Sequence, residues 1–161
     1  RLLNLGKNDV VVNVQGDEPF ITKDVINLLI SKFDNPQVDI ATLTTPIISE
    51  SEIHDPNKVK LVFDKNDKAI YFSRYCIPYL RNKEQVKPTF YKHIGIYAYR
   101  QQILQELIKL PESTLEKCEK LEQLRWIENG YSIYVSECQY NGIGIDTPED
   151  LQRAEEFLAK L

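Results

Sequence analysis

Two carboxylates stand where a run of β-branched residues ends. Asp17 and Glu18 follow Val10-Val11-Val12-Asn13-Val14-Gln15-Gly16 and precede Pro19. Valine is stiff at χ1 and fits a pleated surface, so Val10 to Val14 reads as a strand buried on both faces. Gly16 lets the backbone bend sharply or approach a ligand, and Pro19 ends the pairing. Open α/β sheets bind ligands just beyond the carboxyl ends of their strands. A carboxylate placed there suits Mg²⁺, which takes one or two protein carboxylates and completes its shell with water and phosphate oxygens. The same segment also reads as an acidic surface turn after a core strand.

Asp146 is the second carboxylate of interest. It follows Gly142-Ile143-Gly144-Ile145 and precedes Thr147-Pro148-Glu149-Asp150. Thr147 at the cap, proline at the first helical position and an acid three residues after the cap start a helix. Asp146 is then not needed as the cap. It either gains from the helix dipole or joins Asp17 on one Mg²⁺. Arg74, at the end of Tyr71-Phe72-Ser73-Arg74, offers a planar fork that matches a carboxylate or a phosphate; a surface arginine at a strand end is the alternative. His93 precedes Ile94-Gly95-Ile96-Tyr97, where a histidine serves as a catalyst or as a satisfied structural residue. In Leu121-Glu122-Gln123-Leu124-Arg125, the leucines face a core and Glu122 and Gln123 project from the flank. Gln123 there either binds hydroxyls or belongs to an ordinary amphipathic face. No nucleophilic triad, phosphate-binding glycine loop or HExxH motif is present.

The elements that must position these residues alternate in type. After the first strand, Thr22 or Asp24 caps a helix to about Phe33, with Val25, Leu29 and Phe33 on one face. Asp39 to Pro46 is a second strand, and Ser49 to Asn57 a short helix or loop. Lys58 to Asp64 alternates as a half-buried strand, with Val59, Leu61 and Phe63 opposite Lys58, Lys60 and Val62. A turn at Asn66-Asp67-Lys68 leads into Ala69 to Arg74 and makes a hairpin. Asn82 to Pro88 is a charged loop. His93 to Tyr99 is a strand, Gln101 to Leu110 a helix, about Cys118 to Asn129 another helix closed by Gly130, and Ser132 to Val135 a short strand. In the last helix, Leu151, Ala154, Leu158 and Leu161 mark the buried face. The pattern predicts a three-layer α/β domain on a mostly parallel mixed sheet, covering 1–161 as a single domain without linker or repeat.

Composition narrows the function. The chain has 161 residues, 42% of them hydrophobic and 27% charged, which suits one globular domain with a real core. A net charge of −4 argues against a nucleic-acid partner, which a basic patch would mark. No apolar run reaches membrane-spanning length. Cys76, Cys118 and Cys138 are three and widely spaced, and read as reduced thiols of a cytoplasmic protein. There is no methionine, and residue 1 is Arg. Leu2, Leu3, Leu5 and Gly6 read as the last turn of a helix, so an N-terminal part of the domain is expected to be missing.

Taken together, the motifs resemble one family. Val12-Asn13-Val14-Gln15-Gly16-Asp17-Glu18-Pro19, Ala69-Ile70-Tyr71-Phe72-Ser73-Arg74 with Ile77-Pro78, His93-Ile94-Gly95-Ile96-Tyr97, Leu121-Glu122-Gln123-Leu124-Arg125 and Gly144-Ile145-Asp146-Thr147-Pro148-Glu149-Asp150-Leu151 occur in the order and approximate spacing of the 3-deoxy-manno-octulosonate cytidylyltransferases (CMP-Kdo synthetases). The resemblance covers nearly the whole chain. It implies a nucleotidyltransferase (Rossmann-like) α/β fold, a homodimer and Mg²⁺. It implies transfer of CMP from CTP to the sugar acid 3-deoxy-D-manno-octulosonate (Kdo), with release of pyrophosphate, for lipopolysaccharide biosynthesis. By motif match, Asp17 and Asp146 are the metal-binding aspartates. Gln15 and Gly16 lie where nucleotide and sugar meet. Arg74, His93, Tyr97, Glu122 and Gln123 fall in the segments that line the sugar-acid pocket. The family's first strand and its basic phosphate-gripping loop are not in this sequence, so the chain by itself is expected to bind CTP poorly and turn over little. The neighbouring expectation is a cytidylyltransferase for another sugar acid, such as sialic acid or 8-amino-Kdo, or a non-catalytic binding relative.

Overall fold

In the computed structural model, which describes residues 4–16, 18–82, 86–140, 142, 144, 145 and 148–159, strands and helices alternate around one mixed sheet. The strands are β1 (Val10–Asn13), β2 (Ile40–Pro46), β3 (Lys60–Phe63), β4 (Ala69–Ser73), β5 (Tyr91–Arg100) and β6 (Ile133–Glu137). The helices are α1 (Lys23–Ser31), α2 (Glu50–His54), α3 (Gln101–Leu107), α4 (Thr114–Glu119), α5 (Gln123–Glu128) and α6 (Pro148–Leu158). The order across the sheet is β4-β3-β5-β2-β6, with β1 also on β5.

β5 organises everything else. It is antiparallel to β1, β2 and β3, while β6 is parallel to β2 and β4 antiparallel to β3. Among the described residues β1, β2, β3 and β6 therefore share one direction, as a mostly parallel sheet requires. The pairing itself departs from the expectation. Because β5 is inserted among these strands, β2–β6 is the one parallel ladder among those described.

Two apolar cores cover the two faces and make the three layers. Ile40, Leu61, Phe72, Tyr97, Tyr99, Leu107, Leu124, Trp126 and Ile133 form one core beneath α3, α4 and α5. Val25, Leu29, Val38, Ala41, Leu43, Ile94, Ile96 and Ala98 form the other beneath α1. Along β5 successive residues alternate between the cores, the period of two that a strand imposes. Thr22 caps α1 by accepting from the backbone N–H of Val25. The hairpin turn places Asp67 at φ 60°, a left-handed conformation that aspartate tolerates.

Four local expectations are corrected. First, 118–129 is not one helix. Lys120 takes the left-handed conformation (φ 54°, ψ 47°) and ends α4, whose start is set by a capping box between Ser113 and Glu116. Splitting the helix lets Leu121 and Leu124 both reach the core, and it also buries Gln123, which the helical pattern puts on the flank. Second, β3 does not alternate as expected, because Lys60 is fully buried. Its ammonium donates to the carbonyls of Asp55 and Arg74, each at 2.7 Å. Those bonds compensate the loss of water, while burial lowers its pKa. Third, Leu151 and Leu158 of α6 are 48% and 58% exposed; the helix turns in Asp150 and Ala154 instead, with Phe157 edge-on to Phe20 at 5.0 Å. Fourth, residues 4–6 are not helical, so no helix end is seen there; residues 1–3 and Leu161 lie outside the described residues.

Candidate active site

A bulge in the central strand pair shapes the site. Thr42 of β2 pairs with Tyr97, but the next residue, Leu43, pairs with Ile94, so Gly95 and Ile96 are extra on β5. The Thr42 hydroxyl spans the bulge, 2.8 Å from the Ile96 carbonyl and 3.3 Å from that of Ile94. Bulges re-aim side chains, and here the strand bears His93, Gly95, Tyr97 and Tyr99 along the wall of one cleft of about 710 Å³. Gly95 is where the Gln15 amide comes in: a Cβ at Gly95 would lie 3.3 Å from Gln15 Oε1, tighter than most side-chain contacts. The absence of a side chain thus admits Gln15 to the sheet surface.

Six of the sequence-predicted residues line this cleft: Gln15, Arg74, His93, Tyr97, Glu122 and Gln123. They come from β1's following turn, β4, β5 and the α4–α5 junction. Gly16 does not line it. It lies in the turn closed by Glu18 N–H on the Gln15 carbonyl (3.2 Å), with open space where a Cβ would stand. Asp17 and Asp146 lie outside the described residues. Described residues of the two segments border one cleft. Gln15, Glu18, Gly142 and Gly144 border the same cleft. The Tyr140 hydroxyl donates to Glu18 Oε2 at 2.8 Å. Gln15 and Glu18 bring oxygen donors of the kind a hard cation takes to that end, and among the described residues no group of three or more His, Cys, Asp or Glu is placed to hold a metal ion.

His93 is set into the cleft floor, with a tilted contact to Tyr97 at 5.3 Å and an edge contact to Phe72 at 5.1 Å. Its Nε2 is 2.9 Å from Thr42 Oγ1. Thr42 has one proton and gives it to the Ile96 carbonyl, so it accepts from His93 Nε2–H, and Nδ1 remains an acceptor. Desolvation lowers the His93 pKa to about 3, so the imidazole is neutral at ordinary pH. Tyr97 is buried, and its hydroxyl makes no hydrogen bond among the described residues. Burial holds that phenol well above its usual pKa, with Tyr99 and Glu122 adding to the effect and Thr42 opposing it. Trp126, the one tryptophan in the chain, stands edge-on to Tyr97 and Tyr99 and completes an aromatic wall.

Arg74 is less available than its fork suggests. Nε donates to the Glu119 carbonyl (2.7 Å), Nη1 to Pro56 (3.0 Å) and Nη2 to Lys120 (3.4 Å). Ser73 Oγ and the Arg74 N–H both bind the Glu119 carboxylate, at 2.7 and 2.9 Å. The arginine thereby ties the cleft rim together. Behind Glu122 and Gln123, Arg125 makes a bidentate pair with buried Glu116: Nε to Oε2 at 2.7 Å and Nη2 to Oε1 at 2.5 Å. That pair seats α5 and with it the two polar residues at its start.

Sequence reasoning missed several cleft residues. Lys58, Lys92, Lys120 and Arg153 bring cations to the wall, with Lys92 paired to Glu52 at 3.4 Å. Trp126 and Tyr140 supply its aromatic surface. Only Gly95 left a readable signal, as a glycine inside a strand.

The chain resembles known proteins over nearly its full length. It is 51% identical to the 3-deoxy-manno-octulosonate cytidylyltransferase of Parabacteroides distasonis over 94% of the chain and 63% of that protein. It is 50% identical to that of Porphyromonas gingivalis over 92% of the chain and 61% of the relative. The chain thus spans a little over three fifths of the length of these curated relatives. In three dimensions it matches a CMP:2-keto-3-deoxy-manno-octonic acid synthetase complexed with CTP, with a TM-score of 0.85 and 43% identity over 94% of this chain and 62% of that one. A 4-diphosphocytidyl-2C-methyl-D-erythritol synthase from Anaerococcus prevotii matches at a TM-score of 0.57 and 15% identity over 93% of this chain and 58% of that one, a likeness of fold alone. A family model described as cytidylyltransferase matches residues 1–135, most of the chain. With that match, and with relatives 50–51% identical over more than nine tenths of its length, this chain belongs to the cytidylyltransferase family.

Proposed function

We propose that the complete protein transfers CMP from CTP to Kdo, giving CMP-Kdo and pyrophosphate for lipopolysaccharide biosynthesis in the cytoplasm, as a homodimer. The observation that carries this reading is the convergence of Gln15, Arg74, His93, Tyr97, Glu122 and Gln123, distant in sequence, on one cleft. The relatives that resemble this chain over more than nine tenths of its length are named for that reaction. Among the described residues no helix is long and apolar enough to cross a membrane, and no nucleic-acid partner is proposed.

The chemistry fits the residues. Attack of an anomeric hydroxyl on the α-phosphate of CTP builds negative charge around phosphorus. Such transfers rest on positioning and electrostatics and need no covalent nucleophile, consistent with a sequence that has no triad. Asp17 and Asp146 are proposed to hold Mg²⁺, whose charge, when bound, neutralises the phosphates. The chain's own part is orientation. Gln15, packed on Gly95, sits at the proposed junction of nucleotide and sugar. The neutral His93, the Tyr97 hydroxyl and Gln123 offer acceptors and donors to a polyhydroxy acid. Trp126 and Tyr97 exclude water behind it.

The test is a panel of sugar acids (Kdo, 8-amino-Kdo and sialic acid) with CTP and Mg²⁺, read as pyrophosphate release by the complete protein. Kdo is expected to be the preferred acceptor. Preference for another acid reassigns the substrate, and binding without turnover would make the protein a non-catalytic relative.

A further inference from the structure

We infer that Thr42 is a positioning residue of the cleft: its hydroxyl fixes the tautomer of His93 and so leaves Nδ1 as a hydrogen-bond acceptor for a hydroxyl of the sugar acid. The inference rests on the sugar-acid reading above and deepens it. Thr42 is fully buried inside β2 and does not itself line the cleft. Its Oγ1 lies 2.8 Å from the Ile96 carbonyl, 3.3 Å from the Ile94 carbonyl and 2.9 Å from His93 Nε2. A carbonyl only accepts, and the hydroxyl has one proton to give. That proton is committed to the backbone of β5, so the contact with the ring is made by Nε2–H. A neutral imidazole carries one N–H, which leaves Nδ1 bare.

The bulge is what commits the threonine proton. With Gly95 and Ile96 extra on β5, the carbonyls of both Ile94 and Ile96 come within 3.3 Å of the one hydroxyl. The ring has no second polar partner to set its tautomer. Among the described residues its side-chain hydrogen bond is the one to Thr42. Phe72, edge-on at 5.1 Å, and Tyr97, tilted at 5.3 Å, hold the ring plane without telling its two nitrogens apart. Nδ1 makes no hydrogen bond among the described residues, yet the buried polar atoms left without a partner are the hydroxyls of Tyr97 and Ser136. Nδ1 therefore keeps an open side, and the space beside His93 is the cleft that it lines. Desolvation keeps the ring neutral at ordinary pH, so no proton is added there. A bare ring nitrogen accepts from a ligand hydroxyl and has nothing to give an ionised carboxylate, which is acceptor-only. The opposite tautomer would reverse that preference. Thr42 thus sets the hydrogen-bonding sense of His93 without touching the ligand.

The test uses the complete protein with isotope-labelled histidine, read by the ring-nitrogen resonances in NMR, with H93F to assign the His93 signals. In wild type at neutral pH, without substrates, the proton is expected on Nε2 and Nδ1 is expected bare. T42V keeps the branched shape and removes the hydroxyl, so its His93 ring should show both tautomers. T42S keeps the hydroxyl and should keep the wild-type ring. In steady-state kinetics T42V is expected to raise KM for Kdo roughly five- to tenfold, with KM for CTP held within about twofold. T42S is expected to stay within about twofold of wild type for both substrates. Because Thr42 acts through the ring, adding T42V to H93F should change KM for Kdo by less than about twofold. Three results would overturn the assignment: a wild-type ring protonated on Nδ1, a T42V ring still held as Nε2–H, or a T42V effect on KM that persists in full in H93F, which would route it through the bulged backbone. The first of these needs only the wild-type protein and decides the matter even where T42V does not fold. An Nε2–H ring that T42V releases, in a protein that forms no CMP-sugar, would sink the reaction and leave the role of Thr42 standing. CMP-Kdo synthesis by a wild type protonated on Nδ1 would do the reverse.

Discussion

The hydroxyl of Tyr140 donates a 2.8 Å hydrogen bond to Oε2 of Glu18, across 122 residues of chain. Those residues flank the two segments that carry Asp17 and Asp146. Phe20 and Phe157, edge-on at 5.0 Å, fasten the same two segments a little further out. Tyr140 is buried, so its hydroxyl would be costly to leave without a partner, and desolvation followed by Glu18 raises its pKa. Replacing Tyr140 with Phe removes the bond and little volume. We expect a stability loss of about 1 kcal/mol by thermal melting and a lower kcat in the complete protein. An unchanged melt and an unchanged kcat would mean that the bond does not hold the segments together.

The carboxylates themselves can be tested directly. D17N and D146N, made one at a time in the complete protein, keep the shape of the side chain but lose its charge and exchange one acceptor oxygen for a donor NH2. Turnover is expected to fall on the order of a hundredfold or more while the circular dichroism spectrum stays that of wild type. Chelation of Mg²⁺ should abolish activity in wild type, and Mg²⁺ added back should restore it. Near-normal turnover by either variant at ordinary Mg²⁺ concentration removes that residue from the metal site.

The Glu116–Arg125 pair is a structural wager of another kind. Both partners are largely buried, so truncating Arg125 leaves the Glu116 carboxylate without its cation and with the Ser113 N–H as its donor. R125M is expected to destabilise by about 3–5 kcal/mol, and E116Q/R125M by clearly less, because no lone charge then remains. Urea denaturation of the two variants measures the difference. Equal losses would show that the charge is already well solvated.

His93 makes stability depend on pH. Its folded pKa of about 3 lies below the unfolded value near 6.5, so the unfolded chain binds the extra proton. The stabilising contribution is complete above about pH 6.5 and is lost as pH falls from there toward 3, at no more than about 1.4 kcal/mol per pH unit. The ring opens partly onto the cleft, which makes that slope an upper limit. H93Q, neutral at every pH, should flatten this part of the profile in melts between pH 7 and 4. A profile as steep as that of wild type would assign the acid sensitivity to other groups.

Most element positions were legible because they rest on local rules. The Thr22 cap, the Asn66-Asp67-Lys68 turn and the glycine after α5 each announce themselves within a few residues. The break at Lys120 was not legible, because a lysine in the left-handed region has no local signature and is tolerated only where packing and the Arg74 bridge hold it. Lys60 misled for the same reason: alternation puts it toward water, but two backbone carbonyls from distant turns accept its charge inside. On α6 the helical period was right and the phase wrong: Asp150 and Ala154 are buried and Phe157 packs edge-on against Phe20, while Leu151 and Leu158 face outward.

By itself the sequence determined the kinds of element, their order and the family, because propensity, capping and motif spacing are properties of neighbouring residues. Tertiary structure alone decided that six polar residues share one cleft and that Arg74 braces its rim. Those facts depend on β5 lying between strands that run the other way and on a bulge at Gly95, and no local pattern encodes which segments a sheet will bring side by side.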